Sequence, residues 1–284
     1  MSDVLGRDQL RLYGRRVREV GWSAGVSVLD GWDAVRGRRD RTLPPRRLRA
    51  LAGDGDFRAT GREMVELARD LGGLTPEAHV LDVGSGIGRI ALALSTHLSP
   101  QGRYDGLEIT PAAVRWCERH ISPEHPGFRF HHADIYNTQY NPTGRIRAER
   151  YSFPFESGCF DFAILTSVFT HLVRPSLERY VSELGRTLAR DGRVMATFFL
   201  LNDDSRARIE RGESTQRLVH AVDDSGDLVL NPAVPEGAIG QPEEDVVGLL
   251  AANGLVPEGA IHYGTWCGRG EGVTYQDLLV ARRA

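Results

Sequence analysis

The chain has no lysine: all 35 of its basic side chains are arginine. A GC-rich coding bias accounts for this, so the absence carries no functional weight by itself. Cysteine is almost as scarce, and Cys117, Cys159 and Cys267 form an odd, widely spaced trio without a CxxC pair. That pattern offers neither a disulfide framework nor a zinc-site spacing, and structural thiols are expected. Long apolar runs are missing too. None approaches the roughly 20 residues needed to cross a bilayer, and the opening MSDVLGRDQLRLYGRR is charged where a secretory signal would carry an apolar stretch. A cytoplasmic protein is expected, with no membrane partner. No internal repeat and no long low-complexity tract interrupts the chain.

What is present suits a globular protein. With 284 residues, 41% hydrophobic and 26% charged, the chain can bury one substantial core, and one large domain with a smaller appendage is expected. The net charge of -3 hides an asymmetry, because residues 7–49 carry twelve Arg against five acids. Such an arm can attract phosphates or carboxylates, although two solvated helices account for it more simply. A helix over 7–20 is followed by Gly- and Arg-rich chain up to the Pro44–Pro45 breaker. Residues 1–60 read as a helical, lid-like appendage and 61–284 as the main domain. A further helix over 61–71 places Met64, Leu67, Ala68 and Leu71 at helical spacing and stops at Gly72 and Gly73.

From His79 onward apolar runs alternate with helical patterns: HVLDV, a helix from Ile87, YDGLE, a helix opened by Thr110 and Pro111, then FRFHH. Thr110 suits an N-cap and Pro111 the first helical position. FDFAIL and RVMATFFL supply two more buried strands around a helix over 175–189, so the sheet is mostly parallel with helices on both faces. Residues 202–240 show no clear period and read as an insertion or lid. A helix over 243–252, GAIHYG and YQDLLVARR then close the fold with a final pair of strands.

The sharpest segment is VLDVGSGIGR, residues 80–89, an apolar strand running into a glycine turn and then a helix. Glycines let the backbone approach a ligand, and the helix start offers N–H groups. Glu108 ends the next strand, where an acid can accept both hydroxyls of an adenosine ribose. Gly84, Gly86 and Gly88 give GxGxG, whereas a dinucleotide site has GxGxxG/A, and Arg89 replaces the third glycine of that pattern. Asp82 would repel a pyrophosphate and welcome a cationic amino group.

These residues resemble motif I of the class I S-adenosylmethionine (SAM)-dependent methyltransferases, and the later motifs follow in that family's order. GLEIT (106–110) is similar to the second motif, HHADIY (131–136) to the third, FDFAILTSVFTHL (160–172) to the fourth, and RTLARDGRVMATFF (186–199) to the strand that follows a glycine turn. The resemblance covers about 120 residues, with 80–199 as the cofactor-binding half. It implies a Rossmann-like seven-stranded, mostly parallel sheet with an antiparallel last hairpin, and SAM as cofactor. It further implies that Asp82, Gly84, Ser85, Gly86 and Gly88 hold the methionine part, Glu108 the ribose, and Asp134 and Ile135 the adenine, with Ile109 also among the cofactor-binding residues. Thr166 and Ser167 would lie beside the methionyl chain near the sulfonium. Simple turn or helix capping would also account for Asp134, Thr166 and Ser167.

The acceptor side is thinner. GDGDFRATG (53–61) carries Asp54, Asp56, Phe57 and Arg58 just upstream of the domain and reads as a lid contact. YNTQYNPTGR (136–145) adds Tyr136 and Tyr140, an adaptable aromatic and polar set suited to a small-molecule pocket. Trp266 and Arg269 could line the same pocket, though a Trp packed under the final hairpin is the plainer reading. His171, in FTHL after the fourth strand, is the candidate general base; capping or packing beside Phe169 and Leu172 competes with that role. No carboxylate cluster suggests a metal, and His131, His132, His262 and Cys267 lack ligand spacing. Methyl transfer to a small molecule of specialised metabolism is expected. A methyltransferase acting on RNA or protein, or a SAM-binding protein without catalysis, are the rivals. Oligomeric state is not legible.

Overall fold

The computed structural model of the protein describes residues 43–49 and 56–284. The helix expected over 7–20, most of the arginine-rich arm, and Asp54 lie outside the described residues. Arg58–Ala284 form one compact unit, and Met1–Phe57 belong to another. In the latter, the short helix α1 (Arg46–Arg49) follows Pro44 and Pro45, and Phe57 is the first residue of α2 (Phe57–Asp70). Along α2, Gly61, Met64, Val65 and Ala68 are buried. Their i, i+3, i+4, i+7 spacing makes one helical face. The buried stripe therefore includes Val65 in place of Leu67 and Leu71; Leu71 lies beyond the last helical residue and is exposed.

The described strands in chain order are β1 (His79–Val83), β2 (Arg103–Glu108), β3 (Phe128–His132), β4 (Phe160–Leu165), β5 (Leu188–Phe198), β6 (Leu200–Leu201), β7 (His220–Ala221), β8 (Leu228–Val229), β9 (Ile239–Pro242), β10 (Leu255–Pro257) and β11 (Asp277–Arg283). Seven of them make one sheet in the order β10-β11-β5-β4-β1-β2-β3. β1 to β5 run parallel, and β11 runs antiparallel to both β5 and β10. The Rossmann-like seven-stranded sheet expected from the sequence is thus present. β1 and β4 are almost wholly buried, as strands covered on both faces must be. The helices α3 (Arg89–Leu94), α4 (Pro111–His120), α5 (Arg174–Thr187), α6 (Asp203–Glu210) and α7 (Glu243–Ala252) complete the unit. Leu177 and Leu184 of α5 share one apolar core with Leu81, Val83, Leu165 and Phe198 of the sheet.

Chain order reverses between β1 and β4. A crevice opens outside the carboxyl ends of the strands at such a switch point, and the turns after β1, β2, β3 and β4 all face it.

Two local expectations need correction. The closing hairpin pairs β11 with Leu255–Pro257, not with GAIHYG, which contributes a single bridge from His262 to Leu278. The 202–240 stretch holds elements that its sequence did not signal: Asn202 and Ser205 form a reciprocal capping box for α6, and β6, β9, β8 and β7 make a second, four-stranded sheet. Strands of two residues carry too little pattern to be read from sequence. Thr110 sits at the N-cap position in extended conformation, but its side chain makes no capping bond.

Candidate active site

The strand–turn–helix segment comes first. Gly84, Gly86 and Gly88 all have positive φ, at 74°, 52° and 76°, a conformation that L side chains rarely adopt. Space separates their roles. A Cβ on Gly84 would stand 2.5 Å from Val168 Cγ2, and one on Gly88 2.4 Å from Ile121 Cδ1, whereas one on Gly86 would meet nothing nearer than Gly84 O at 4.0 Å. The outer glycines allow packing; the central one leaves its backbone uncovered.

β2 braces this turn. Gly84 N and Ser85 N donate to Leu107 O at 2.7 and 3.2 Å. Glu108, at the end of the strand, accepts from Gly86 N at 2.9 Å and from Thr110 N at 2.7 Å, one bond on each carboxylate oxygen. A carboxylate has about four acceptor directions, so each oxygen keeps one for a ligand hydroxyl. Ile109, next along, is partly buried against the main core. Gly106 has no Cβ because Ser85 Oγ would lie only 2.8 Å away from it.

Asp82 lies beneath the turn and is almost fully buried. Its Oδ2 accepts from Tyr104 OH at 2.7 Å. Burial pushes its carboxyl up to about 7, reinforced by the charge of Glu108 and opposed by the Tyr104 bond. Near neutral pH it is therefore not a fixed negative charge.

After β3, Asp134 is bonded to Arg145 through Nε and pairs with it; that bond holds its carboxyl below the usual range. Ile135 is buried and bridges Ile146. The 136–145 loop braces itself: Asn137 and Asn141 exchange backbone bonds, Asn137 Oδ1 accepts from Gln139 N and Tyr140 N, and Asn141 Nδ2 donates to Ile135 O. Tyr136 is exposed and Tyr140 half-buried.

After β4, Thr166 Oγ1 is buried without a hydrogen-bond partner. Ser167 holds a left-handed φ of 57°, a costly state for a residue with a side chain. Its N–H donates to Thr197 Oγ1 at 2.9 Å, and Gln276 Oε1 accepts from both Ser167 Oγ and Thr197 Oγ1. His171 closes a single 3-10 turn, Phe169–His171. Its Nδ1 lies 2.8 Å from Glu236 O, and its ring meets Tyr140 edge-on with centroids 6.1 Å apart. A carbonyl can only accept, so in the neutral ring Nδ1 carries the proton and Nε2 keeps its lone pair. Burial holds the imidazole below its ordinary value. The Glu236 carboxylate in turn accepts from Thr138 N at 3.2 Å and Thr138 Oγ1 at 2.8 Å. The loops at 136–145, 166–171 and 235–237 are thereby bonded together around His171.

Trp266 lies elsewhere. It is fully buried in a second apolar cluster with Phe199, Leu201 and Leu218, and its indole N–H donates to Asp277 Oδ2 at 2.7 Å. Asp277 also receives Leu200 N, Gly264 N and Arg269 Nη1. Trp266 and Arg269 thus anchor the insertion to β11 rather than opening on the loops around His171. Phe57 is buried at the start of α2, in the unit that ends there. Arg145, Glu236, Gln276 and Tyr104 were not singled out by sequence reasoning. Nothing in the sequence signals their roles, because their partners lie 11 to 109 residues away. The same holds for Asp105, which is clamped at 2.6 Å by both His79 Nε2 and His131 Nε2. Among the described residues no three His, Cys, Asp or Glu are arranged to hold a metal ion.

A parallel sheet with this strand order, a glycine turn after β1 and an acid ending β2 define a nucleoside-binding Rossmann-like fold. Residues 80–192 match the family described as a methyltransferase domain, within the stretch whose motifs resemble the class I SAM-dependent methyltransferases. Among solved structures it is similar to the PH0226 protein of Pyrococcus horikoshii (16% identity over 82% of this chain and 93% of that one, TM-score 0.55). It is also similar to the 1,6-didemethyltoxoflavin-N1-methyltransferase of Burkholderia thailandensis, solved with 1,6-didemethyltoxoflavin and S-adenosylhomocysteine (16% identity, 83% and 82% covered, TM-score 0.52). A SAM-dependent methyltransferase of Methanosarcina mazei matches with 19% identity, 74% and 94% covered and TM-score 0.50. At these identities the likeness is one of fold.

Proposed function

We propose that the protein transfers the methyl group of SAM to a small-molecule acceptor, with His171 as general base. The observation that carries this reading is the set of bonded loops around His171, whose Nδ1 is held by Glu236 O, so that the neutral ring would offer Nε2 to a proton. Three loops tied to one another suit a compact organic molecule better than a polymer. The Burkholderia enzyme, solved with a small heterocycle bound, is a precedent on the same fold; the fold by itself does not choose the acceptor. In this reading residues 1–60 are an appendage to a domain spanning 61–284, and 202–240 is an insertion or lid.

The residues at the switch point fit the cofactor. Gly86 leaves an uncovered backbone where a Cβ would stand in open space, Glu108 has acceptor capacity left on both oxygens for a ribose, and Thr166 Oγ1 is a buried hydroxyl without a partner. Asp82 with Gly84–Gly88 would hold the methionine part, Glu108 and Ile109 the ribose, Asp134 and Ile135 the adenine, and Thr166 and Ser167 the methionyl chain. When bound, the cofactor supplies a methyl group on a cationic sulfur, open to in-line displacement. The protein aligns the acceptor and excludes water, the larger part of such catalysis. His171 Nε2 takes the acceptor's O–H or N–H proton as the new bond to carbon forms. Tyr136 and Tyr140 would face the acceptor.

The test is incubation with methyl-labelled SAM and fractionated extract of the source cell, followed by mass spectrometry. One label gained by a small molecule is expected. Label appearing only in RNA or protein would replace this reading with a macromolecular one, and tight SAM binding without turnover on any fraction would leave a binding protein.

A further inference from the structure

The proposal of His171 as base raises the question of what aims its ring. A single 3-10 turn has no helix ladder to hold it: its own backbone bonds are His171 N to Val168 O at 2.9 Å and a long one from Leu172 N to Phe169 O at 3.3 Å. Gln241, on β9 of the second sheet, is fully buried. Its Nε2 donates to Phe169 O at 2.8 Å and lies 3.4 Å from Leu172 O, the carbonyls at the two edges of that turn. The residue is itself firmly placed: its backbone N–H donates to Phe199 O at 3.0 Å, and it pairs with Leu200 across β6 and β9.

We propose that Gln241 is a positioning residue, whose buried carboxamide fixes the Phe169–Leu172 turn so that His171 presents Nε2 to the acceptor. This rests on the reading of His171 as base. A packing role alone does not explain the choice of side chain. Gln241 Oε1 is buried with no hydrogen-bond partner, and leaving a buried acceptor unpaired is a cost that a leucine or methionine of similar volume would avoid. The carboxamide costs stability and holds a turn. The second support, Glu236 O on His171 Nδ1, comes from the same insertion, so the 202–240 segment and the strand after it complete the base rather than merely cover it. The titratable groups facing the imidazole are Glu236, whose carboxylate is bound to Thr138, and Tyr140; Arg174, three residues on, is paired with Asp227 and Asp245.

The experiment is nitrogen-15 NMR of histidine-labelled full-length protein, which reads the ring itself and requires no acceptor. In the native protein His171 should be neutral at pH 7 with its proton on Nδ1. In Gln241→Leu and Gln241→Met the Nδ1–H tautomer should lose population and the titration midpoint should rise toward the ordinary histidine value of about 6.5, while SAM affinity stays within about twofold. Folded variants with the native tautomer and midpoint would overturn the proposal. Should neither variant fold, the native spectrum decides: a ring protonated on Nε2 overturns it, and one protonated on Nδ1 with the Gln241 side-chain amide protected from exchange upholds it. Normal turnover by His171→Ala would remove the base reading on its own, without any change in these spectra.

Discussion

Asp82→Asn should change how stability depends on pH, and by an amount that follows from the burial of one carboxyl. In the unfolded chain Asp82 ionises near its ordinary 3.8, and in the folded protein burial raises this to about 7. Between those values the folded state holds a proton that the unfolded state has lost, so this group's contribution to stability falls as pH rises from about 4 to about 7 and is level above that. At about 1.36 kcal/mol per pKa unit, the rise costs ~4 kcal/mol once Asp82 is ionised. Asparagine keeps an acceptor for Tyr104 OH and cannot ionise. Its amide introduces a fixed offset of its own, which cancels when the same pair of proteins is compared at two pH values. Urea unfolding of both proteins at pH 5 and pH 8 should show the variant gaining ~2.7 kcal/mol relative to the native protein over that range, because about two of the roughly three pKa units lie between those pH values. A difference that does not move with pH would refute the raised carboxyl. If Asp82 serves the cationic amino group of SAM, native affinity for SAM should also climb as pH rises from 6 to 8, and the variant's should not.

Three further outcomes are expected. Gly86→Val should abolish SAM binding because a branched side chain fills the uncovered backbone, and Glu108→Ala should weaken it by roughly 1.5 to 3 kcal/mol, the scale of charged hydrogen bonds; calorimetry that finds both affinities unchanged would place the cofactor elsewhere. His171→Ala should keep SAM affinity within about twofold and lower turnover roughly 10² to 10⁴-fold, with the loss shrinking at high pH where the acceptor ionises unaided; native turnover near pH 7 from a folded variant would dismiss the base. Trp266→Phe should lower stability by about 1 to 3 kcal/mol, because buried Asp277 loses a donor, while leaving SAM affinity unaltered; a weakened SAM affinity at native stability would tie Trp266 to the site instead.

The sequence by itself determined the architecture of the cofactor half. HVLDV and FDFAIL are apolar on both of their faces over most of their length, which a strand covered on both sides tolerates, and the spacing of Gly84, Gly86 and Gly88 favoured one kind of nucleoside site because positive φ and close approach are properties of single residues. Glu108 could be named for the same reason, standing at a fixed distance along the chain from the glycine turn, and the structure brings its carboxylate to that turn at Gly86 N. The acceptor side was not legible. Tyr136, Tyr140 and His171 could be named, but what makes His171 a candidate base is a carbonyl 65 residues away at Glu236 and a carboxamide 72 residues from Phe169 at Gln241. The sequence reading of Trp266 left two roles open, and only the buried carboxylate of Asp277 beneath its N–H shows which way the ring faces. Local pattern fixes strands and turns, since periodicity and backbone preference act within a few residues. The pairing of an insertion's carbonyl with a histidine on another loop depends on where the sheet carries each of them, and that is decided only when the chain is folded.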